Sequence, residues 1–340
     1  MPTRRNRTPR RSRLEDVAQH AGVSTMTVVR VLREPHKVAP ATRARVTAAL
    51  DKTQYTPDLV ARSLVSRRTG MVGAIVPTLS NSLIADIVQG MSDELALHDR
   101  QLMIGASGFS ASREEALVRS FLSRRVDALY LTGTSHTDET VRLLHAAGLP
   151  VVEGGNIPQT PIDFVVGASN VDAAACVVTY LIRKYGKRMG FVGGSPVDND
   201  RMRDRRLGYE QALRKAGARV VPETMIEAPI AMESGRRAIG RLLGLSAPPR
   251  AVFCATDVIA AGAVLECKRR GVRVPEDIAI AGYDDLEIAA ELVPSLTTVR
   301  VPRYEIGRQT ARFMHLSLTG QRPKNDIHDI GFELILRESA

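Results

Sequence analysis

The side chains that carry covalent or metal chemistry are few in this sequence and do not converge. Cys176, Cys254 and Cys267 are odd in number and include no CxxC pair, so neither a disulfide framework nor a zinc site is indicated. They read as small buried apolar residues. The seven histidines are scattered without metal-ligand spacing. No GxGxxG follows an apolar run, and there is no GxxxxGK[ST] phosphate loop and no GxSxG elbow. Gly193-Gly194-Ser195 has the composition of a ligand loop, although a short glycine pair serves equally well as a turn. The residue types therefore predict no catalytic residue, no metal and no cofactor, and leave non-covalent recognition as the chemistry of the chain.

What is concentrated is positive charge. Residues 1–68 hold 15 Lys and Arg against 5 Asp and Glu, while the remainder balances 32 against 32, so the whole formal excess of +10 lies in the first fifth. A basic module on a neutral body is the arrangement that phosphate neutralisation on a nucleic acid calls for. A membrane-surface role would need a long amphipathic basic helix, and the pattern shows none. No apolar run approaches the roughly 18 residues of a membrane span. The arginine-rich start is followed by neither an apolar stretch nor a cleavage site, which predicts a cytoplasmic protein.

The elements that must position such a surface follow from periodicity. Residues 1–13 are rich in Arg, Pro, Thr and Ser and read as a disordered basic arm, serving solubility or non-specific phosphate attraction. Leu14, Val17, Ala18 and Ala21 form one helical stripe, Gly22 breaks it, and Ser24 is a candidate N-cap for a second helix over 25–32. Val28, Val31 and Leu32 can face inward, while Thr25, Met26, Val29 and Arg30 share the solvent side. A third helix over 41–53 offers Val46 and Leu50 to the same core. Two short helices around Ala21-Gly22-Val23-Ser24 match a helix-turn-helix, with Val23 as the plug between them. Thr56 and Pro57 can cap and start a short helix that is too short to be stable alone.

Beyond residue 70 the texture becomes an alternation of apolar runs, at 72–77, 102–106, 128–132, 151–154, 164–167, 190–193, 251–255, 278–283, 297–301 and 332–336, with amphipathic helices such as 84–97 and 206–216. Runs apolar nearly throughout suit strands covered on both faces, and the low aromatic content, 4% with no Trp, suits an α/β rather than an all-β protein. There are too many strands for one small sheet, so the region is expected to form two similar lobes with a ligand cleft at the carboxyl ends of the strands. The fold expected is α/β: a three-helix headpiece on a two-lobed, periplasmic-binding-protein-like body with parallel doubly wound sheets. The expected boundaries are 1–13 for the arm, 14–56 for the headpiece, 57–69 for hinge and linker, and 70–340 for the body. Its first lobe takes about 70–167 with 302–330, and its second about 168–301 with 331–340.

The run from Leu14 to Leu32, LEDVAQHAGVSTMTVVRVL, closely resembles the headpiece of the lactose-repressor (LacI/GalR) family. The resemblance continues through VAPATR at 38–43, YTP at 55–57, ARSL at 61–64, PTLSN at 77–81, RRLGY at 205–209, ATD at 255–257 and GYDD at 282–285. Within the family, 24–33 and 253–257 look most like the gluconate-utilisation repressors. The resemblance implies a homodimer whose recognition helices enter adjacent major grooves of a near-palindromic double-stranded operator, with hinge helices paired in the minor groove between them. It assigns DNA contact to Thr25, Met26, Thr27, Val29 and Arg30. Arg30 suits guanine O6 and N7, and the apolar side chains suit thymine methyls. Leu64 would be the wedge between central base pairs, with Ala61 one turn earlier permitting close approach. Val29, where a serine is common, and Asp58, where asparagine is usual, depart from the pattern.

In the cleft the family pattern points to Asn81, Arg205, Thr256 with Asp257, and Asp284. Arginine suits a carboxylate through paired charge-assisted hydrogen bonds, and the others suit hydroxyls. Glu153, at a strand end, is a further hydroxyl acceptor, and Asp257 serves equally as a cap for the following helix. The expected function is a repressor of sugar-acid catabolism genes, released from its operator by a small-molecule effector that changes the lobe angle. A neutral sugar, a sugar phosphate or a nucleobase remains an alternative effector, and an α/β enzyme or a periplasmic sugar-binding protein a remote alternative function. No heptad tail follows the last strand, which predicts a dimer.

Overall fold

The computed structural model describes residues 12–55, 68–80, 82–197 and 199–340, and the chain divides into two compact units at Thr69 and Gly70. Most of the expected arm, the hinge segment with Ala61 and Leu64, and Asn81 lie outside the described residues. In the first unit, α1 (Leu14–Ala21), α2 (Thr25–Arg33) and α3 (Pro40–Thr53) enclose one core of Val17, Ala18, Ala21, Val28, Val31, Val46 and Ala49. Gly22, at φ 61°, ends α1 in the left-handed conformation that glycine adopts without a Cβ penalty. Ser24 caps α2, its Oγ accepting from the Thr27 N–H at 3.2 Å. Val23 packs against the core as expected.

One inward assignment differs. Leu32 is 40% exposed, because it falls on the Thr25 and Val29 flank of α2 rather than between Val28 and Val31. In α3, Val46 is buried and Leu50 packs, partly buried, against the same core as expected, with Ala49 a further buried position.

The second unit runs in chain order β1 (Met71–Val76), α4 (Ser82–Ala96), β2 (Gln101–Ala106), α5 (Ala111–Ser123), β3 (Ala128–Thr132), α6 (Asp138–Ala147), β4 (Val151–Gly154), β5 (Phe164–Gly167) and α7 (Asn170–Tyr185). It continues through β6 (Met189–Gly193), α8 (Asp200–Lys215), β7 (Met225–Glu227), α9 (Met232–Leu243), β8 (Ala251–Cys254), α10 (Asp257–Arg269), β9 (Ala279–Ala281) and α11 (Glu287–Glu291). It ends with β10 (Thr298–Arg300), α12 (Arg303–Leu318), β11 (Ile327–Asp329) and β12 (Glu333–Ile335). A six-stranded parallel sheet has the order β11-β5-β4-β3-β1-β2, a four-stranded parallel sheet the order β7-β6-β8-β9, and β10 pairs antiparallel with β12. The chain leaves the first sheet after β5 and returns to it through α12 and β11, so several segments join the two lobes.

The apolar runs are explained by two-sided burial. Along β1, Val72, Ala74 and Val76 join the cluster that holds residues of α4 and α12, while Ile75 joins the one holding Val118 and Phe121 of α5. Sequence periodicity missed β7 and β11, short edge strands whose Met-Ile-Glu and Ile-His-Asp carry too little apolar character to register. It also began α8 at 206. Asp200 to Arg206 is a charged stretch, and the buried stripe of α8 (Met202, Arg205, Gly208, Tyr209) has an arginine where an apolar residue would be looked for. Cys254 and Cys267 are buried, but Cys176 is exposed on α7, a correction to its reading as a core residue.

Helices α4 and α12 pack through glycines, since a Cβ on Gly307 would overlap the Ile87 carbonyl oxygen and one on Gly90 the Tyr304 carbonyl oxygen. Backbone atoms cannot yield as a flexible side chain does. Gly307→Ala is expected to cost about 1–3 kcal/mol of stability, as overpacked sites do, read as a lower urea midpoint at unchanged m-value.

Candidate functional site

On α2, Thr25, Met26 and Arg30 are exposed, Met26 at 67%, and Val29 is half-buried beside them. The structure brings these four onto one side of the helix. Thr27 is half-buried, with its hydroxyl 2.9 Å from Ser24 Oγ, so its polar atom takes part in the helix cap. An exposed methionine beside an exposed arginine on a basic module is a surface matched to base edges and thymine methyls.

The second unit holds a cleft lined by segments at the carboxyl ends of β1, β3 and β4 in one lobe and of β6, β8 and β9 in the other. Arg205 reaches it from α8 and is almost fully buried. Its Nε donates to Asn170 Oδ1 at 2.9 Å and its Nη1 to the Ala255 carbonyl at 2.7 Å, Nη2 lies 3.3 Å from Asp284 Oδ1, and the guanidinium stacks 3.6 Å from the centre of the Tyr283 ring. Asp284 is buried at φ 112°, a conformation that costs a non-glycine residue about 1–3 kcal/mol. Burial raises its carboxyl pKa above the usual range, against the opposing pull of Arg205 and Arg303. Arg303 holds Asp86 through Nε at 3.0 Å and Nη2 at 2.9 Å, and its Nη1 donates to the Asp284 carbonyl.

Thr256 lines the cleft and caps α10, its Oγ1 accepting from the Ile259 N–H at 3.3 Å. Asp257 is not that cap. Its two oxygens accept from Thr298 Oγ1 at 2.6 Å and the Leu286 N–H at 2.8 Å, bracing the loop that carries Asp284. Burial, the nearby Asp284 carboxylate adding to it, pushes the Asp257 pKa up to about 8.

Glu153 is not brought to the cleft. Its side chain leaves β4 on the opposite face from Val152, where Oε2 accepts from the Ile162 N–H at 2.6 Å and Oε1 lies 3.5 Å from His136 Nε2. His136 Nδ1 is 2.6 Å from Glu114 Oε1, so one imidazole sits between two carboxylates in the interior. Burial lowers its pKa, but Glu114 and Glu153 prevail and raise it to about 9. Strand alternation could have excluded Glu153 once the facing of Val152 was known.

Sequence reasoning missed Asn170, Asn199, Arg201 and Arg303, all of which line the cleft. Asn170 and Arg303 stand within motifs of no chemical signature, and Arg201 was absorbed into an apparently solvated charge run. It also missed Asp200, which ties the lobes together. Its Oδ2 accepts from the Thr134 N–H at 3.0 Å, Thr134 Oγ1 at 2.9 Å and Asn156 Nδ2 at 2.9 Å, and Asn156 Nδ2 also donates to Asp204 Oδ2 at 2.7 Å. Burial opposes the charge on Asp200, but Arg201, Asn156 and Thr134 outweigh it and hold the carboxyl below its usual pKa. No cluster of metal-ligating side chains occurs among the described residues, and no described helix is long and apolar enough to cross a membrane.

A helix-turn-helix unit joined to a two-lobed body with a cleft between the lobes defines a DNA-binding transcriptional regulator. Residues 13–58 match the model for bacterial regulatory proteins of the lacI family, and residues 178–340 that for a periplasmic binding protein-like domain. The chain is 33% identical to the HTH-type transcriptional regulator GntR of Escherichia coli (strain K12), covering 94% of this chain and 96% of that one. It is also 33% identical to the HTH-type transcriptional repressor CytR of the same strain, covering 96% of each. A solved LacI-family transcriptional regulator from Silicibacter pomeroyi superimposes with a TM-score of 0.88 at 30% identity, over 96% of this chain and 99% of that one. The chain belongs to the lacI family of transcriptional regulators, and is a regulator rather than an enzyme.

The buried ionisable groups set a pH dependence. His136 holds its proton more tightly folded than unfolded, so its contribution to stability is complete below about pH 6.5 and is lost as pH rises through about 9. The raised Asp257 carboxyl has the same sign, its contribution being lost between about pH 3.8 and 8. Near pH 9 the thiols of Cys254 and Cys267, raised by burial, begin a loss of the same sign. The melting temperature is expected to fall between pH 7 and 9 in the wild type and to fall less steeply in His136→Gln, as read by calorimetry.

Proposed function

We propose that this regulator is a repressor of sugar-acid, gluconate-type catabolism genes, released from its operator when a polyhydroxy carboxylate enters the cleft. The observation that carries the reading is the lining itself. Among the described residues, three guanidiniums, Arg201, Arg205 and Arg303, stand there with a single lining carboxylate, Asp284, and the hydroxyl-matching groups of Thr132, Asn170, Asn199 and Thr256. Resemblance of residues 24–33 and 253–257 to gluconate-utilisation repressors supports the same class. A neutral sugar is the second reading, favoured by the aspartate beside each arginine: Asp200 with Arg201, Asp284 with Arg205 and Asp86 with Arg303.

The reading assigns effector contact to Arg205, Thr256 and Asp284, and to Asn81, which lies outside the described residues, and gives Glu153 no part because its carboxylate is engaged elsewhere. It assigns Thr25, Met26, Thr27, Val29 and Arg30 to the major groove of a near-palindromic operator, and Ala61 and Leu64, within a 57–69 hinge, to the minor groove. The working species is a cytoplasmic homodimer. Effector binding changes the angle between the lobes, which decides whether the hinge can order on DNA. Coupling of about 1–3 kcal/mol corresponds to about 5- to 150-fold in operator affinity.

Two measurements test this. In a thermal-shift panel, a ligand at 100 times its dissociation constant adds about 2.7 kcal/mol of stability, and gluconate or a close relative is expected to do so. Stabilisation only by neutral sugars transfers the assignment to the second reading. In operator binding by fluorescence anisotropy, Arg30→Ala is expected to lose about 5- to 150-fold for the cognate site, the worth of one bidentate base contact, with little change on unrelated DNA. Equal loss on both sequences would make Arg30 a phosphate contact.

A further inference from the structure

The three cleft arginines are not equivalent, and the difference identifies which one reads the ligand. All three guanidinium nitrogens of Arg205 are engaged by Asn170, Ala255 and Asp284, and its plane is covered by Tyr283. All three of Arg303 are likewise engaged, by Asp86 and the Asp284 carbonyl. Arg201 donates only from Nη1, to Asp200 Oδ1 at 2.7 Å. Among the described residues its Nε and Nη2 meet no protein acceptor, although its side chain is only 13% exposed. Those two nitrogens form one edge of the guanidinium, the edge whose parallel N–H bonds match the two oxygens of a carboxylate. That edge remains open to the cleft, where a ligand carboxylate can take the place of water on it.

The surrounding backbone is shaped for this arginine. Gly133 (φ 102°) and Gly155 (φ 86°), just after β3 and β4, take conformations that side chains rarely adopt. A Cβ on Gly133 would overlap Arg201 Nη1, and one on Gly155 would lie 3.3 Å from its Cδ. Arg201 therefore extends from α8 across to the loops of the other lobe. Its partner Asp200 is the residue whose second oxygen is held by Thr134 and Asn156 of that lobe.

We infer that Arg201 is the specificity-determining residue for an acidic effector, receiving the ligand carboxylate on its Nε and Nη2 edge at the seam between the lobes. Arg205 keeps its contact with the effector at the hydroxyl-binding end, where it also positions Asn170 and Asp284. The inference rests on the sugar-acid reading above and deepens it. The ligand class is a polyol monocarboxylate whose acid end lies beside the Asp200 bridge, where occupancy and lobe closure act on the same side chains.

The test is isothermal titration calorimetry of the full chain with potassium D-gluconate, potassium 2-keto-D-gluconate and D-glucitol, for wild type, Arg201→Gln and Arg201→Lys. Removing a charge-assisted contact is expected to weaken binding of the acids about 10- to 150-fold in Arg201→Gln, while any D-glucitol affinity changes by less than about threefold. Lysine supplies the charge without the paired donors, so Arg201→Lys is expected to recover only part of the loss. It carries the test by itself if the glutamine variant does not fold, as judged by circular dichroism. Acid affinity unchanged in either folded variant overturns this inference while leaving the sugar-acid reading in place. Absence of acid binding to the wild type overturns both.

Discussion

A buried guanidinium is tolerated only when its donors are met, and Arg205 meets that demand by drawing several segments together. It stands on α8, yet its partners are the start of α7 (Asn170), the end of β8 (Ala255) and the loop after β9 (Tyr283 and Asp284). Each partner is thereby fixed relative to the others, so the ligand-facing groups of the second lobe are placed by one charge. Leaving a buried charge without its partner is far more costly than the pair is stabilising. The arrangement is thus better understood as a device for positioning than as a source of stability.

The loop carrying Asp284 shows the same logic at one remove. Asp284 is held in a backbone conformation unfavourable for any residue with a side chain, and such strain persists only where surrounding bonds over-determine it. Asp257 provides them, gripping the Leu286 N–H and the Thr298 hydroxyl from beneath, while Arg303 holds the Asp284 carbonyl from the first lobe. Burial raises the Asp257 pKa, and the nearby Asp284 carboxylate adds to it.

Several contacts between the lobes are polar: Asp200 with Thr134 and Asn156, Asp204 with Asn156, Arg303 with Asp284. Polar contacts can be exchanged for water at smaller cost than apolar surface, which suits the change of lobe angle proposed above. Behind the Thr134 segment, His136 is clamped by Glu114 and Glu153. The residue that grips Asp200 therefore stands on a rigid foundation within its own lobe.

The sequence by itself determined the helix-turn-helix, because Gly22, Ser24 and the Val17, Ala18, Ala21 stripe act through local conformation and period. It determined most strands of the body, since burial on both faces writes an unbroken apolar run. It also made Arg205, Thr256 and Asp284 legible as cleft residues, through a motif resemblance that spans the chain. Only the tertiary structure decided what each of these side chains is bonded to. Glu153 left the site because strand alternation turned it toward His136, Asp257 became a brace and not a cap, and Arg201 emerged from a charge run as the least engaged of three arginines. The physical reason is that a charged side chain's role depends on which partners reach it across long sequence separations. Asp200 and Thr134, or Arg303 and Asp86, meet only after two sheets have been assembled, and nothing in their local sequence records the meeting.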